Sequence, residues 1–341
     1  MPITVLFASM PTSLATSLMR LRLSCIVLTL LLGTTICADN LAFSQSGQPS
    51  EEPGSNESAN FAYRSTVSEV RLVFFAADEN NHAVKDLHKD DFAVIDNERV
   101  IRDFRSFTRS PLTKLDVIVL IDSSDSVLPH FRQETANVLH LIAQLPWNPE
   151  DNVSVLSFGD TEVRSICTGD CRRSFSAEEV ASLPSGGATP LFDALEVAAN
   201  SLIQRRQPDV WPFIILFSDG DDAVSKSSFR DAADKIAASG AQVYTVDVSN
   251  PRQTSNGTAM LRWIADDSGG RCFRIEEGAV RIFHDVLDDL HSARVVTYAP
   301  PPSVSDFHSI RILPTHNLNL KFRCRRGYYR RSGSAPQEER P

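Results

Sequence analysis

The sequence predicts an α/β fold: a doubly wound, mostly parallel sheet flanked by helices, with a smaller β-rich domain built from N- and C-terminal segments. Three observations carry this expectation. Two short apolar runs, residues 115–121 and 213–217, are rich in Val, Ile, Leu and Phe and lack an amphipathic period. Strands buried on both faces of a parallel sheet read this way. Around these runs, strand-like segments alternate with helical ones, as right-handed parallel crossovers require. Short alternating runs then flank this region on both sides, within residues 65–107 and 309–323.

Taken in order, residues 65–107 hold several strand-like runs split by turn residues such as Asp78-Glu79-Asn80-Asn81 and Asp96-Asn97, which suggests a small β unit. Residues 130–145 place Phe131, Val138, Leu139 and Ile142 near helical spacing, and Pro146 stops the run. Residues 151–158 read as a strand. Residues 191–203 put Leu191, Ala194, Leu195, Ala198 and Leu202 on one helical face. Residues 229–238 form a helix closed by Ser239-Gly240, a good C-cap. Residues 241–248 are a strand, 260–265 a short helix and 280–290 the last helix. After Pro300-Pro301-Pro302 the helical pattern ceases, and residues 309–313 and 317–323 alternate as paired strands. We expect them to return to the N-terminal β unit, making that domain discontinuous.

The first apolar run ends on Asp122, with Ser124 and Ser126 following at alternate positions. Open α/β sheets build their sites at the carboxyl ends of strands. One carboxylate and two hydroxyls are hard oxygen donors, suited to Mg²⁺, Mn²⁺ or Ca²⁺. The second run ends Ser218-Asp219-Gly220, and Gly186-Gly187-Ala188-Thr189-Pro190 leads into the helical pattern at Leu191. Pro at a first helical position would make Thr189 an N-cap or a loop ligand. Asp125, Asp221 and Asp222 read as polar loop residues.

Together these stretches resemble the von Willebrand factor type A family and its metal-ion-dependent adhesion site. The family pattern is Asp-x-Ser-x-Ser, a Thr in a second loop and an Asp before Gly in a third. Asp122, Ser124, Ser126, Thr189 and Asp219 fill it in order. The resemblance covers roughly residues 114–290. It implies that Ser124, Ser126 and Thr189 coordinate a divalent cation directly or through water. Asp122 and Asp219 mostly hold waters or supply limited negative charge. A protein partner's Asp or Glu then completes the shell. The flanking β segments are similar to those of a bacterial exported subgroup of the family.

The expected domain plan follows: a signal peptide at 1–38, a linker at 39–64, the β-rich domain opening at 65–110, the metal-binding domain at 111–295, returning strands at 296–331 and a disordered tail at 332–341. Arg20 and Arg22 precede an apolar run that ends near Ala38, as in a secretory signal. Residues 39–60 have too little apolar content to fold. Export to the periplasm, cell surface or medium is therefore expected, with an uncleaved signal anchor as the alternative. Cleavage would leave Cys167, Cys171, Cys272 and Cys324, with a tight bridge between the first two plausible.

Formal net charge is −9, which argues against a nucleic-acid-coating surface. The basic cluster Lys321, Arg323, Arg325, Arg326, Arg330 and Arg331 reads as a solvated strand edge. Its rival role is contact with an anionic surface such as lipid headgroups. No nucleophile-elbow, zincin or P-loop motif occurs. A Mg²⁺-dependent phosphatase using Asp122 would carry a second Asp two residues on, where this chain has Ser124. The expectation is therefore a non-catalytic binding module, with phosphatase-like hydrolase or metal-stabilised scaffold as alternatives.

Overall fold

The computed structural model describes residues 69–330, apart from 81, 110–113, 146, 170, 208 and 250–255. The expected signal, linker and tail lie outside the described residues. All described residues belong to one compact unit.

The chain opens with four strands: β1 (Val70–Ala77), β2 (Phe92–Asp96), β3 (Arg99–Ile101) and β4 (Ser106–Arg109). The helix-flanked layer follows: β5 (Lys114–Asp122), α1 (Leu128–Gln144), β6 (Asn152–Gly159), β7 (Glu162–Thr168), α2 (Ala177–Ala181), α3 (Leu191–Gln204), β8 (Val210–Ser218), α4 (Phe229–Ser239), β9 (Gln242–Asp247), α5 (Asn256–Ser268), β10 (Cys272–Arg274) and α6 (Ala279–Ser292). Four strands close the described chain: β11 (Arg294–Tyr298), β12 (Phe307–Pro314), β13 (Lys321–Cys324) and β14 (Gly327–Tyr329).

The central sheet has the order β10-β9-β8-β5-β6-β7. All its pairings are parallel except β6 with β7. β5 lies in the middle because both its faces are apolar. Val117, Val119 and Ile121 belong to a core shared with Phe131, Val138 and Ile142 of α1 and Phe283 of α6. Ile118 and Leu120 belong to the opposite core with Leu195 of α3, Ile236 of α4 and Leu261 of α5. This two-sided burial is why the run shows no amphipathic period. From β5 the chain winds first to β6 and later back to β8, so the order reverses between β5 and β8. Their carboxyl ends form the crevice where such sheets bind ligands. Strand β7 is not among the expected elements; it runs along the sheet edge with no fully buried residue and no two-residue alternation. A disulfide joins Cys167 of β7 to Cys171, while Cys272 and Cys324 are free thiols.

The other strands form two antiparallel sheets, β13-β1-β11-β4 and β14-β12-β2-β3. Residues from both share one core, including Leu72, Phe74, Phe92, Val94, Val296 and Ile310. Phe74 and Phe92 meet at 4.9 Å between ring centroids. The C-terminal strands thus complete the N-terminal β unit, as expected. The helix-flanked layer is inserted between β4 and β11, which pair with Arg294 opposite Arg109. Only Ala293 separates α6 from β11.

The basic cluster follows its reading as a solvated edge at Lys321, Arg326 and Arg330, which are exposed, and departs from it at two arginines. Arg323 turns inward: it donates to Asp289 of α6 at 2.7 Å and to the Gly269 carbonyl at 2.6 Å, with its guanidinium 4.0 Å from the centre of the Phe75 ring. Arg325 donates to the Arg71 carbonyl at 3.0 Å. Strand β13 is indeed an edge, but these two cations fasten it to its own molecule.

A polar group at the heart of the β unit is also satisfied. Asp96 is fully buried. One carboxylate oxygen accepts from Tyr298 at 2.9 Å and Tyr328 at 2.8 Å, and the other pairs with Nδ1 of His308 at 2.7 Å. Asp96→Ala strands three buried donors and is expected to destabilise by about 3 kcal/mol or more. Tyr298→Phe removes one bond and should cost about 1 kcal/mol. Urea unfolding of both variants checks this; equal small losses would contradict it.

Candidate metal centre

Asp122 ends β5 with 3% of its surface exposed. One oxygen accepts the backbone N–H of Ser124 at 2.9 Å, which folds the chain into a turn. The other accepts the Ser218 hydroxyl at 2.7 Å, at the end of β8. The turn sorts the following serines. The amide and hydroxyl of Ser123 both donate to the Phe158 carbonyl on β6, at 2.8 and 3.0 Å. The hydroxyls of Ser124 and Ser126 instead lie 3.2 Å apart. Ser124 is buried and Ser126 exposed.

The second loop packs onto the first. Gly186 donates to the Ser123 carbonyl at 2.6 Å, and Asp125 donates to the Gly187 carbonyl at 2.9 Å. Gly187 has φ 88°, and a Cβ there would lie 2.8 Å from Cα of Asp160. This close approach carries the chain to Thr189, which is 5% exposed. The third loop locks onto the second: the amides of Ala223 and Val224 donate to the Thr189 carbonyl at 2.9 and 3.3 Å. Asp219 is 7% exposed and accepts from the Asp221 amide at 3.2 Å. Gly220 has φ 83°, and a Cβ there would sit 2.2 Å from the Gly257 carbonyl.

The five expected residues therefore lie on three mutually hydrogen-bonded loops at one edge of the sheet. One local detail differs from expectation. Pro190 is the N-cap of α3, not its first helical residue, and makes no side-chain cap. The free amides at that end are served from the third loop: Phe192 donates to Asp222 at 3.3 Å and to Ser225 at 3.0 Å. Asp222 thus has a structural task, beyond that of a polar loop tip.

Electrostatically, burial dominates this edge. Burial pushes Asp122 up to about 6, with the charge of Asp219 adding and the Ser124 and Ser218 hydrogen bonds opposing. Burial and then the charge of Asp122 push Glu134 up to about 7. Asp221 is also raised, by burial and then by Asp219. The donor set, two carboxylates with three neutral hydroxyls, fits a hard divalent ion. Among the described residues no group of three or more His, Cys, Asp or Glu side chains is placed to hold a metal. Hydroxyl donors are therefore essential to any such site.

Two participants escaped the sequence reading. Ser218 stood in plain view before Asp219, but only the β5–β8 pairing shows that it meets Asp122. Glu134 left a usable signal: it interrupts the apolar stripe between Phe131 and Val138 on α1.

Comparison with known proteins bears on the same region. The model of the von Willebrand factor type A domain matches residues 116–288. The magnesium-chelatase 60 kDa subunit of Cereibacter sphaeroides is 26% identical over 149 residues, covering 41% of this chain and 27% of that protein. Its counterpart from Rhodobacter capsulatus is 24% identical over 151 residues, with the same shares of 41% and 27%. The chain spans about a quarter of the length of these curated relatives. Among solved structures, proximal thread matrix protein 1 from the mussel byssus shares 19% identity at a TM-score of 0.42, over 53% of this chain and 48% of that one. The matched residues run from the third residue of β5 into α6 and take in all three loops of the candidate centre, and the chain belongs to the von Willebrand factor type A domain family.

Proposed function

We propose that this chain is an exported, divalent-metal-dependent protein-binding module, and that Asp122, Ser124, Ser126, Thr189 and Asp219 hold the ion. The observation that carries the reading is the convergence of the buried Asp122, Ser124, Thr189 and Asp219 on three hydrogen-bonded loops at one sheet edge. A bound Mg²⁺, Mn²⁺ or Ca²⁺ would supply positive charge and an open coordination position for an outside oxygen ligand. The chain's own residues do the rest. Asp122 anchors the first loop to β8, and the glycines at 186 and 187 let the second loop approach it. Ser124, Ser126 and Thr189 offer oxygens without adding negative charge. A shell so composed neutralises the ion only in part and favours a partner's Asp or Glu. Members of this family commonly mediate metal-dependent protein interaction. The acidic balance of the chain speaks against nucleic acid as the partner.

Catalysis is the weaker reading. Both oxygens of Asp122 accept hydrogen bonds within the protein, which suits an anchor better than a nucleophile. Export rests on the N-terminal sequence, and an envelope or surface location follows from it. No described helix is long and apolar enough to cross a membrane.

Three outcomes are expected. Calorimetric titration with Mg²⁺ should show one site, weakened roughly 10–100-fold by Asp219→Ala. Unchanged binding in the Asp122→Ala/Asp219→Ala double variant would refute the assignment. Second, pH should act on the metal-free protein in an unusual direction. Asp122 is raised from 3.8 to about 6 and Glu134 from 4.5 to about 7. The folded state therefore holds protons that the unfolded chain releases, and stability falls as pH rises through this window. Thermal melts with chelator should give a lower Tm at neutral pH than at mildly acidic pH. Added Mg²⁺ should restore it, and a chelated protein most stable at neutral pH would count against the reading. Third, an immobilised Asp- or Glu-containing peptide library should yield binders with Mg²⁺, none with chelator and few with Thr189→Ala. Capture that persists in all three conditions would move recognition to another surface.

A further inference from the structure

A second recess lies at the other end of the central sheet. Asp116 lines it near the start of β5, while Asp122 ends that strand. Six residues of extended chain separate the two by about 20 Å. The recess has a volume of about 620 Å³, within the range of small-molecule sites. The inserted layer supplies one wall through the ends of α3 and α4, and the β unit supplies the other through β1 and β14.

Its polar lining is strongly one-sided. Arg71, Arg205, Arg206, Arg325 and Arg330 line it, against the carboxylates of Glu69 and Asp116. Part of this charge has a structural task. Arg205 forms a two-pronged pair with Asp116, at 3.0 Å for both contacts, and Arg206 donates to the Ala238 carbonyl at the end of α4. These bonds answer one carboxylate and a helix carboxyl terminus. Arg325 is different. It is held in place by the Arg71 carbonyl and by Tyr328, whose ring centre lies 5.4 Å from the guanidinium carbon. Its Nε is nonetheless buried with no hydrogen-bond partner. That N–H is sealed from solvent, so a ligand in the recess meets the charge of this half-buried side chain and not its Nε. Arg330 adds an exposed cation on the same rim. Between the charges, Trp211, Leu202 and Val73 give apolar walls.

We propose that this cleft is a second binding site, for a small anionic ligand with a carboxylate or phosphate head and an apolar or aromatic body. The forked guanidinium groups match such heads in geometry as well as charge, and the apolar walls take the body. The site is separate from the metal edge and does not depend on it.

The test uses two fluorescent probes that share an aromatic body, the anion anilinonaphthalene sulfonate and neutral phenylnaphthylamine. Each is titrated into the full chain with Mg²⁺ present. The sulfonate should bind one site at least about tenfold more tightly than the neutral probe. Octanoate or octyl phosphate should displace it, and whichever competes better identifies the preferred head. Arg330→Glu, on the exposed rim, should weaken the sulfonate about tenfold without lowering Tm. Arg325→Lys keeps the charge, loses the fork and should weaken it too. Asp219→Ala should leave it unchanged, which separates this site from the metal centre. Equal affinity for both probes, displacement by neither competitor, or indifference to both arginine variants would overturn the proposal.

Discussion

Asp122 sits where the parallel strands β5 and β8 diverge, and both its oxygens are committed there. One holds the turn that separates Ser123 from Ser124, and the other accepts the hydroxyl that ends β8. The same carboxylate is nearly sealed from water, and its negative charge adds to the burial that raises Glu134 on α1. Geometry and electrostatics at this edge therefore have a common origin. The hydrogen bonds that shape the loops leave the carboxylate with no ion pair among the described residues, and burial makes its charge costly. A hard cation is the ordinary resolution of such a conflict.

The loops around Asp122 are braced by backbone more than by side chains. Gly186, Gly187 and Gly220 adopt positive φ, and at Gly187 and Gly220 a methyl group would meet neighbouring backbone. The arrangement brings carbonyls and amides of three loops within hydrogen-bonding distance, so the oxygen donors are placed before any ligand arrives. Such preorganisation spares a binding event the cost of ordering loops. The trans-capping of α3 by Asp222 and Ser225 belongs to the same design, since it ties the helix that follows Thr189 to the loop that carries Asp219.

Much of this was legible in the sequence because the signals are local. The apolar runs ending on Asp122 and at Ser218, the amphipathic stripe from Leu191 to Leu202 and the Gly240 cap each report on a neighbourhood of a few residues. The helix expected at 191–203 is Leu191–Gln204, and Gly240 takes the left-handed conformation at φ 72°. The return of the C-terminal strands was readable too, because their alternation needed an apolar partner surface. Other features depend on contacts distant in sequence. Ser218 reaches Asp122 across strand pairing, and Arg323 reaches Asp289 on α6. Asp96 gathers Tyr298, Tyr328 and His308 from the far end of the chain. Charge and residue type alone made Arg323 look solvated; only the fold shows the aromatic ring and carboxylate that receive it.

The pairing of β4 with β11 also sets how tension would travel. The inserted layer begins and ends on hydrogen-bonded neighbours, with Arg294 opposite Arg109. β1 is held on one side by β11 and on the other by β13. A pull on the two ends of the described chain therefore meets β1, held between β11 and β13, at one end and β14, paired with β12, at the other. Along the chain, the inserted layer joins the β unit only through the adjacent strands β4 and β11, so its two ends are clamped side by side. Separation of the β unit's own strands would leave that clamp, and the layer above it, as a closed loop of chain.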